Sequence, residues 1–366
     1  MANKTLIIAA MSARGYAQAA VACGYEVITL DAFADADTCS VAKHAFKLKF
    51  NEEGLDLTEF KHIFSMLDFS NCAGFLYGSL FDNAPDVLAW VADCMPLIGN
   101  APAIMHVTKQ FEFFVLLDDL HIKHPEVSRT KQLGLMKQLG GTGGTHIQIC
   151  LDNSSSLPSQ LQHRHYYQQK IEGVPVSLLF VADGKSAQTV GFNQQLLAPT
   201  ASMPYRYGGA VSQYLLPHAS RQLFESAAQK LTQSLSLRGC NSLDAIFDGQ
   251  DLWVLELNPR LSASFLLYPN LMTAHLQACA GSLPKLPIYN SAMAHSVLYA
   301  ENEMVISADF VWPVDAMDIP SAIAGQCNVK IAQDMPVCTI SAEAETAESA
   351  HIFALEQANK LRQRLY

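Results

Sequence analysis

Apolar runs near the amino terminus alternate with a segment of helical spacing. Residues 5–10 (TLIIAA) and 26–33 (EVITLDAF) have strand length, and residues 12–25 between them repeat small apolar side chains at helical intervals. A strand, a helix and a second strand in this order form the unit that builds parallel sheets. The alternation continues to about residue 100 through AGFLYGS, NAPDVLAWVADC and PLIGN. We therefore expect an α/β lobe with at least four strands.

The turn after the first strand, Ser12 to Gly15, lies where a dinucleotide-binding fold has its glycine fingerprint. It holds one glycine where that fingerprint needs three, which favours a structural turn. Asp31 resembles a ribose-binding acid at the end of the second strand, but it can equally cap the next segment. An NAD-linked oxidoreductase is therefore the least favoured class of enzyme.

The pattern changes near residue 105, where VTKQFEFFVLLDDL predicts a helix and Pro125 then breaks the chain. A strand ending at Lys137 follows, and then a glycine-rich run precedes another strand. Such a run suits a tight hairpin loop whose backbone N–H groups approach anionic oxygens, with Lys137 as a fixed charge. A flexible hairpin tip with an exposed lysine explains this segment equally well. The run consists of Gly140, Gly141, Thr142, Gly143 and Gly144.

A second hairpin is predicted over GCNSLDAIFDGQDLWVLELNPR, with its turn at Asp248 and Gly249. Alternation puts Glu256, Asn258 and Arg260 on one face, and strand pairing can bring Asp244 beside them. Two carboxylates and an amide oxygen make a hard-oxygen site suited to Mg²⁺ with phosphate oxygens. The alternative is a salt bridge between Arg260 and one of the carboxylates on a sheet surface.

Composition narrows the classes of function. The net charge is -10 and no run of Lys or Arg occurs, so nucleic acid is an unlikely partner. The nine cysteines form no CxxC pair, which suits a reducing compartment. No window approaches 18 uninterrupted apolar residues, so we expect no membrane span and a cytoplasmic protein.

The lysine and glycine-rich hairpin, followed about a hundred residues later by ELNPR, resembles the ATP-grasp superfamily. The resemblance implies ATP clamped between two α+β lobes, with Asp244, Glu256 and Asn258 holding Mg²⁺ or Mn²⁺. Lys137 would meet the phosphates under the glycine flap, and Arg260 would hold the transferred phosphate or an acylphosphate. The remaining nucleotide contacts implied are Lys109 and the hinge residues Gln169, Lys170 and Ile171. The hinge departs from the commoner pattern, because Gln168 and Gln169 stand where a Glu is usual.

The resemblance covers nearly the whole chain and implies an N-terminal parallel-sheet α/β lobe followed by a two-lobed ATP-grasp module. The expected boundaries are 1–104 for the N-terminal lobe, 105–172 for the small lobe with the flap, and 173–366 for the large lobe. LIGNAP, GFNQQLL, PYRYGGAV, NPRLSASF and PVCTISA together look like predicted ATP-dependent carboligases related to biotin carboxylase.

Such enzymes join a carboxylate to an amine or thiol through an acylphosphate, with release of ADP and phosphate. The expected partners are small-molecule carboxylates and amines, as in cofactor or amino-acid-conjugate biosynthesis, and the candidate assembly is a homodimer. A non-catalytic nucleotide-binding regulator and a biotin-carboxylase-like ATP-dependent carboxylase remain alternatives. The candidates for the substrate pocket are Arg206, Gly208, Gly209, Ser262, Ser264 and, after a strand of the first lobe, Asp82.

Overall fold

A computed structural model of the chain describes residues 4–51, 54–151, 164–321 and 328–366. Their strands form three main sheets in chain order: a parallel sheet, a small antiparallel sheet and a large antiparallel sheet. This arrangement confirms the predicted fold class. None of the described helices combines the length and apolar character needed to cross a membrane.

The first lobe is a parallel sheet with the order β3–β2–β1–β6–β7, flanked by helices. Its strands, including a short β4–β5 pair outside that sheet, are β1 (Thr5–Ala10), β2 (Glu26–Asp31), β3 (His44–Lys47), β4 (Phe50–Asn51), β5 (Gly54–Leu55), β6 (Cys72–Tyr77) and β7 (Leu97–Ile98). Its helices are α1 (Arg14–Ala22), α2 (Ala36–Val41), α3 (Leu57–Ser65) and α4 (Pro85–Cys94), with a 3-10 turn at Ser79–Phe81. The carboxyl ends of β1, β3 and β6 meet at one edge, where ligands of open α/β sheets commonly bind.

The turn after β1 has a structural role, as its single glycine predicts. The Asp31 carboxylate accepts hydrogen bonds from the backbone N–H groups of Ala13, Phe33 and Ala34, so it braces the turns after β1 and β2. A Cβ on Gly15 would lie 2.2 Å from Leu266 of the large lobe. Gly15 therefore serves the close packing of α1 against that lobe.

The second lobe contains two helices and the four-stranded antiparallel sheet β10–β9–β11–β8. These elements are α5 (Pro102–Thr108), α6 (Glu112–Asp119), β8 (Val127–Ser128), β9 (Gly134–Gln138), β10 (Gln148–Cys150) and β11 (His165–Gln168). The single helix predicted over 107–120 is wrong, because the chain leaves helical geometry at Lys109, whose side chain turns into the site described below. The predicted boundary at residue 104 falls inside α5. The flap hairpin is confirmed, but residues 139–147 join its strands and the loop is not tight.

The third lobe is the antiparallel sheet β16–β15–β12–β13–β14–β17–β21–β19, with helices against it and a separate β18–β20 pair. Its elements are β12 (Val174–Asp183), β13 (Ala187–Leu197), β14 (Tyr207–Val211), α7 (His218–Leu235), β15 (Arg238–Phe247), β16 (Leu252–Asn258), α8 (Met272–Cys279), β17 (Ala292–Tyr299), β18 (Met304–Ser307), β19 (Ala316–Met317), β20 (Asn328–Ile331), β21 (Pro336–Ala344) and α9 (Ala347–Leu365). A 3-10 turn at Ala263–Leu267 follows the ELNPR segment.

Apolar packing joins the first and third lobes directly. The Tyr16 ring of α1 meets the Phe265 ring edge-on, with centroids 5.6 Å apart. Both residues belong to one buried cluster that also contains Leu6 and Met272. Burial of this kind stabilises by roughly 25 cal/mol per Å² of apolar surface, so the lobes are held in a defined arrangement around the space between them.

Candidate active site

The predicted hairpin β15–β16 brings its acidic residues together. Asp244 pairs with Glu256 across the two strands, and Asn258 pairs with Ser242 one step further along the same face. The Asn258 side-chain amide donates to Asp244 Oδ2 at 3.1 Å and to Glu256 Oε1 at 3.3 Å. Strand alternation thus sets these three side chains side by side on a rigid surface.

Two cations from different segments reach this acidic group. Lys109 Nζ donates to Asn258 Oδ1 at 2.7 Å and lies 3.6 Å from a Glu256 oxygen. Arg260 Nη2 donates to the same Asn258 oxygen at 2.9 Å. The Lys109 and Arg260 side chains are only 4% and 7% exposed, so their charges face the site and not bulk solvent.

Asp82 has a different position from the one its sequence context predicts. Its carboxylate is fully buried and grips Arg260 through two hydrogen bonds, 3.0 Å from Nε and 2.6 Å from Nη2. It also lies 3.4 Å from Lys109 Nζ. A two-pronged Arg–carboxylate contact fixes the guanidinium geometry. Asp82 therefore positions Arg260 from the first lobe, and it lines neither of the cavities described next.

Burial and the nearby charges have opposing effects on the pKa values of the ionisable groups at the acidic hairpin. Burial, followed by the charge of Glu256, raises the pKa of Asp244. Burial also acts to raise the pKa of Glu256, but the nearby ammonium groups of Lys109 and Lys137 outweigh it and lower that pKa. Burial lowers the pKa of Lys137 against the opposing charges of both carboxylates. A divalent cation beside this pair would favour the ionised form of both carboxylates.

A cavity of about 490 Å³ lies between the small sheet and the β15–β16 hairpin. Its size is that of an ordinary small-molecule site. It brings together the residues that the sequence assigns to a nucleotide, and we call it the nucleotide cavity. The predicted contacts on its wall are Lys109, Lys137, Gly140, Gly141, Thr142, Gly143, Gly144, Gln169, Lys170 and Ile171.

The flap glycines include one with a strict steric requirement. Gly144 has φ +72°, and a Cβ there would lie 1.9 Å from the carbonyl oxygen of Tyr205. A side chain would therefore force the flap away from the large lobe. The backbone bond from Tyr207 N–H to the Gly143 carbonyl, at 2.9 Å, holds the flap in this position.

A second cavity of about 650 Å³ lies at the carboxyl ends of the parallel strands, between the first and third lobes. We call it the acceptor cavity. Ser262 and Ser264, which were predicted to contact substrate, lie on its wall with their hydroxyl oxygens 2.9 Å apart. Asn258 and Arg260 also line it, whereas Lys109 and Lys137 line only the nucleotide cavity.

The two cavities meet at the acidic hairpin. Asp244 and Glu256 line both of them, as do Thr142 and Gly143 of the flap. A group that crosses from one cavity to the other therefore passes the paired carboxylates, with lysines on one side and Arg260 on the other.

Besides Asp82, three predicted pocket residues line neither cavity. Arg206 donates to the Ala198 carbonyl and to Asp334 at 2.9 Å, and its guanidinium lies over the Tyr299 ring. A Cβ on Gly209 would lie 1.9 Å from the His295 carbonyl oxygen, and one on Gly208 2.7 Å from the Leu197 backbone. These glycines allow close strand packing, and Arg206 holds a turn.

Other residues of the acceptor cavity carry no sequence signal. Arg14 donates to Asp318 at 2.8 Å, and Ser12 donates to the same carboxylate oxygen at 3.0 Å. Asp318 comes from the other end of the chain and has φ +56°. His295 faces the same cavity, and burial together with the charge of Arg14 lowers its pKa to about 4. Only the fold brings these positions together.

The flap of the nucleotide cavity also contains a residue that the sequence pattern does not single out. His146 packs against Gly141, where a Cβ would lie 2.4 Å from its ring, and burial lowers its pKa to about 4. Within the described part of the chain, its Nδ1 atom is buried without a hydrogen-bond partner. The glycine run drew attention to this loop, but nothing in the sequence distinguishes this histidine from an exposed one.

The donor set at the hairpin fits a hard divalent cation. Among the described residues, no three His, Cys, Asp or Glu side chains form a metal cluster, but the predicted set contains two carboxylates and one amide. Burial, followed by the charge of Glu256, raises the pKa of Asp244, so a bound cation would favour its ionised form. Carboxylate and amide oxygens are the ligands Mg²⁺ prefers, with phosphate oxygens completing the set. Asp244 and Glu256 are therefore chemically suited to Mg²⁺, and Asn258 would join them with its amide turned over, because its Oδ1 here accepts from Lys109 and Arg260.

Comparison with known proteins agrees with this geometry. Residues 108–264, which run from the end of α5 through the hairpin to Ser264, match the family described as the ATP-grasp domain. The chain carries an ATP-grasp domain. The expected resemblance is confirmed at the level of this domain.

Relatives extend the likeness beyond the domain. The arginine-specific large chain of carbamoyl phosphate synthase from Bacillus subtilis is 24% identical over 53% of this chain, and the match spans 20% of that relative's length. The biotin carboxylase domain of 2-oxoglutarate carboxylase from Hydrogenobacter thermophilus superposes with a TM-score of 0.74 at 12% identity, covering 96% of this chain and 89% of the other. The L-amino acid ligase of Bacillus licheniformis gives 0.65 at 12% identity, covering 97% and 96%. These structural likenesses show the ATP-grasp fold for nearly the whole chain.

Proposed function

We propose that the protein is an ADP-forming ligase that joins a small carboxylic acid to an amine through an acylphosphate. The observation that carries this proposal is the meeting of two cavities at Asp244 and Glu256. One cavity has the lysines and glycine flap suited to a nucleoside triphosphate. The other has a mixed polar and apolar wall suited to an organic substrate.

The nucleotide cavity would hold ATP with its phosphates toward the hairpin. Lys109 and Lys137 neutralise phosphate charge, and the flap backbone covers it. Asp244, Glu256 and Asn258 would hold Mg²⁺, which supplies charge neutralisation at the phosphate oxygens. The biotin carboxylase domain from Hydrogenobacter thermophilus was solved with MgADP and bicarbonate, which supports a metal nucleotide in this fold.

The reaction then has two steps at the junction. An oxygen of the acid attacks the γ-phosphorus, the bond to the β-phosphate oxygen breaks, and ADP remains as product. The amine next attacks the acyl carbon, the C–N bond forms, and phosphate leaves with the electron pair of the C–O bond while the nitrogen loses a proton. Arg260, which Asp82 holds in place, stabilises the negative charge of the transferred phosphate.

Substrate-dependent ADP release tests this function against the carboxylase alternative. Purified protein with MgATP is supplied with pairs of carboxylic acids and amines, and in parallel with bicarbonate and free biotin. We expect ADP and phosphate in equal amounts only with one class of organic acid. Release stimulated by bicarbonate and biotin, without any organic acid, would contradict the ligase and establish a carboxylase. Nucleotide binding without release under any condition would favour the regulator.

A further inference from the structure

The nucleotide cavity contains a buried amide whose nitrogen has no hydrogen-bond partner. Gln168 is the last residue of β11, lines this cavity and is 1% exposed. Its Nε2 atom is buried and has no hydrogen-bond partner among the residues that the structure describes. A buried donor without a partner costs roughly 1 to 3 kcal/mol, so such groups usually meet water or a ligand.

Strand register places this amide on the ligand side of the small sheet. Tyr166 pairs with Lys137, and Gln168 pairs with Leu135 two residues further along the same strands. All four side chains share one face and all four residues line the nucleotide cavity, whereas the intervening Met136 does not. The Gln168 side chain therefore faces the space that Lys137 faces.

Position along the cavity identifies the part of the nucleotide that Gln168 meets. Lys137 lies near the acidic hairpin, which is the phosphate end. Gln168 lies about 6.7 Å further from that end, the rise of two strand residues, and directly precedes the hinge residues Gln169 to Ile171. This is the base end of the cavity.

The hydrogen-bonding capacity of the amide leads to a statement about base specificity. A carboxylate can only accept hydrogen bonds, whereas an amide both donates and accepts and can present either group after half a turn. Adenine has an amino donor at its 6-position, and guanine has an oxygen acceptor there. We propose that Gln168 meets the 6-position of the bound purine and admits 6-oxo purine nucleotides as well as ATP. This inference rests on the nucleotide site of the proposed function.

Inosine and adenosine nucleotides isolate this contact, because inosine carries the 6-oxygen without the extra 2-amino group of guanosine. Calorimetry of MgADP and MgIDP with the wild-type chain should give dissociation constants within about tenfold of each other, the size of one neutral hydrogen bond. Gln168→Glu, which only accepts, should weaken IDP relative to ADP by about tenfold or more. Gln168→Leu, which neither donates nor accepts, should weaken both nucleotides.

Gln148→Glu is the matched control, because Gln148 is exposed on the same small sheet, pairs with Met136 and lies outside the cavity wall. It makes the same change of charge and should leave the ratio of the two affinities unchanged. An equal ratio of IDP to ADP affinity in Gln168→Glu and Gln148→Glu would overturn the inference. Unchanged affinities for both nucleotides in Gln168→Leu would also overturn it. The Leu variant keeps the test valid if a buried glutamate prevents folding. If the wild-type chain binds ADP but IDP more than about a hundredfold weaker, the inference fails while the ligase proposal stands. If it binds neither, both fail.

Discussion

The two cavities differ in how the chain builds them. The nucleotide cavity takes its charged and glycine residues from four segments, 109, 137–144, 170–173 and 244–256, all within the matched domain. The acceptor cavity combines the turn after β1, the ELNPR segment, His295 of β17 and residues 318–321 and 329–339. The first therefore depends on local motifs, and the second depends on packing between lobes.

The two cavities also differ in the chemistry of their walls. The nucleotide cavity presents two buried lysines beside a flap of backbone N–H groups, as a polyanion requires. In the acceptor cavity Arg14 is already paired with Asp318, and Val297, Ile331 and Val337 form an apolar wall. We expect the first cavity to accept one kind of ligand in many relatives and the second to set the identity of the organic substrate.

Asp82 of the first lobe holds Arg260 at the junction of the two cavities, and its loss should have the largest effect on stability. Asp82→Asn leaves the buried charge of Arg260 without its paired carboxylate and leaves Lys109 with Glu256 alone. Breaking a buried ion pair costs about 3 to 5 kcal/mol, so the free energy of unfolding should fall by that amount in urea titrations. Asp251→Asn is the control, since its pair with Lys123 is exposed and its loss should cost at most about 1 kcal/mol. Equal losses in both variants would mean that Asp82 does not connect the lobes energetically.

Lys137→Ala tests the nucleotide cavity alone. Removing one charge-assisted contact should weaken ATP binding by about 1.5 to 3 kcal/mol, measured by calorimetry. The affinity for the organic substrate should change little, because Lys137 does not line the acceptor cavity. Lys185→Ala, at an exposed turn, provides the control. Unchanged ATP affinity in a folded Lys137→Ala protein would remove this lysine from the site.

Arg14→Gln tests the acceptor cavity, and we expect a smaller energetic effect than for Asp82→Asn or Lys137→Ala. The change removes the ion pair with Asp318 that closes this cavity between the first and third lobes. We expect KM for the organic substrate to rise about tenfold, the size of one hydrogen bond to a charged group, with unchanged ADP affinity. Arg221→Gln on the exposed face of α7 is the control. A loss of ADP affinity in Arg14→Gln would show that the two cavities do not act separately.

The sequence predicts the parts of the site that local pattern determines. Alternation along β16 and the turn at Asp248 place Asp244 beside Glu256, and the structure has this register. The parallel character of the first sheet follows in the same way from its strand and helix pattern, but its strand order, with β1 beside β6, does not. The hairpin register depends on contacts between residues close in the chain.

Tertiary contacts account for what the sequence does not predict. Asp82 lies 178 residues from its partner Arg260, and Arg14 lies 304 residues from Asp318, so no spacing rule connects them. Arg206 and Gly209 lie in a polar and glycine-rich stretch, yet strand packing accounts for Gly209 and turn contacts account for Arg206. The metal role of Asp244, Glu256 and Asn258 and the nucleotide role of the flap stay predictions.

The measurement that tests the central claim most directly is a thermal-shift titration with MgATP on the wild-type chain, Glu256→Gln and Glu356→Gln. Glu256→Gln keeps the side-chain shape but removes one negative charge from the hairpin where the cavities meet, whereas Glu356 is exposed on α9. A ligand that binds the folded state raises the melting temperature as its concentration rises above Kd. We predict a rise with MgATP in the wild type and in Glu356→Gln, and none in Glu256→Gln. Equal rises in all three would contradict the metal-nucleotide site at Asp244, Glu256 and Asn258.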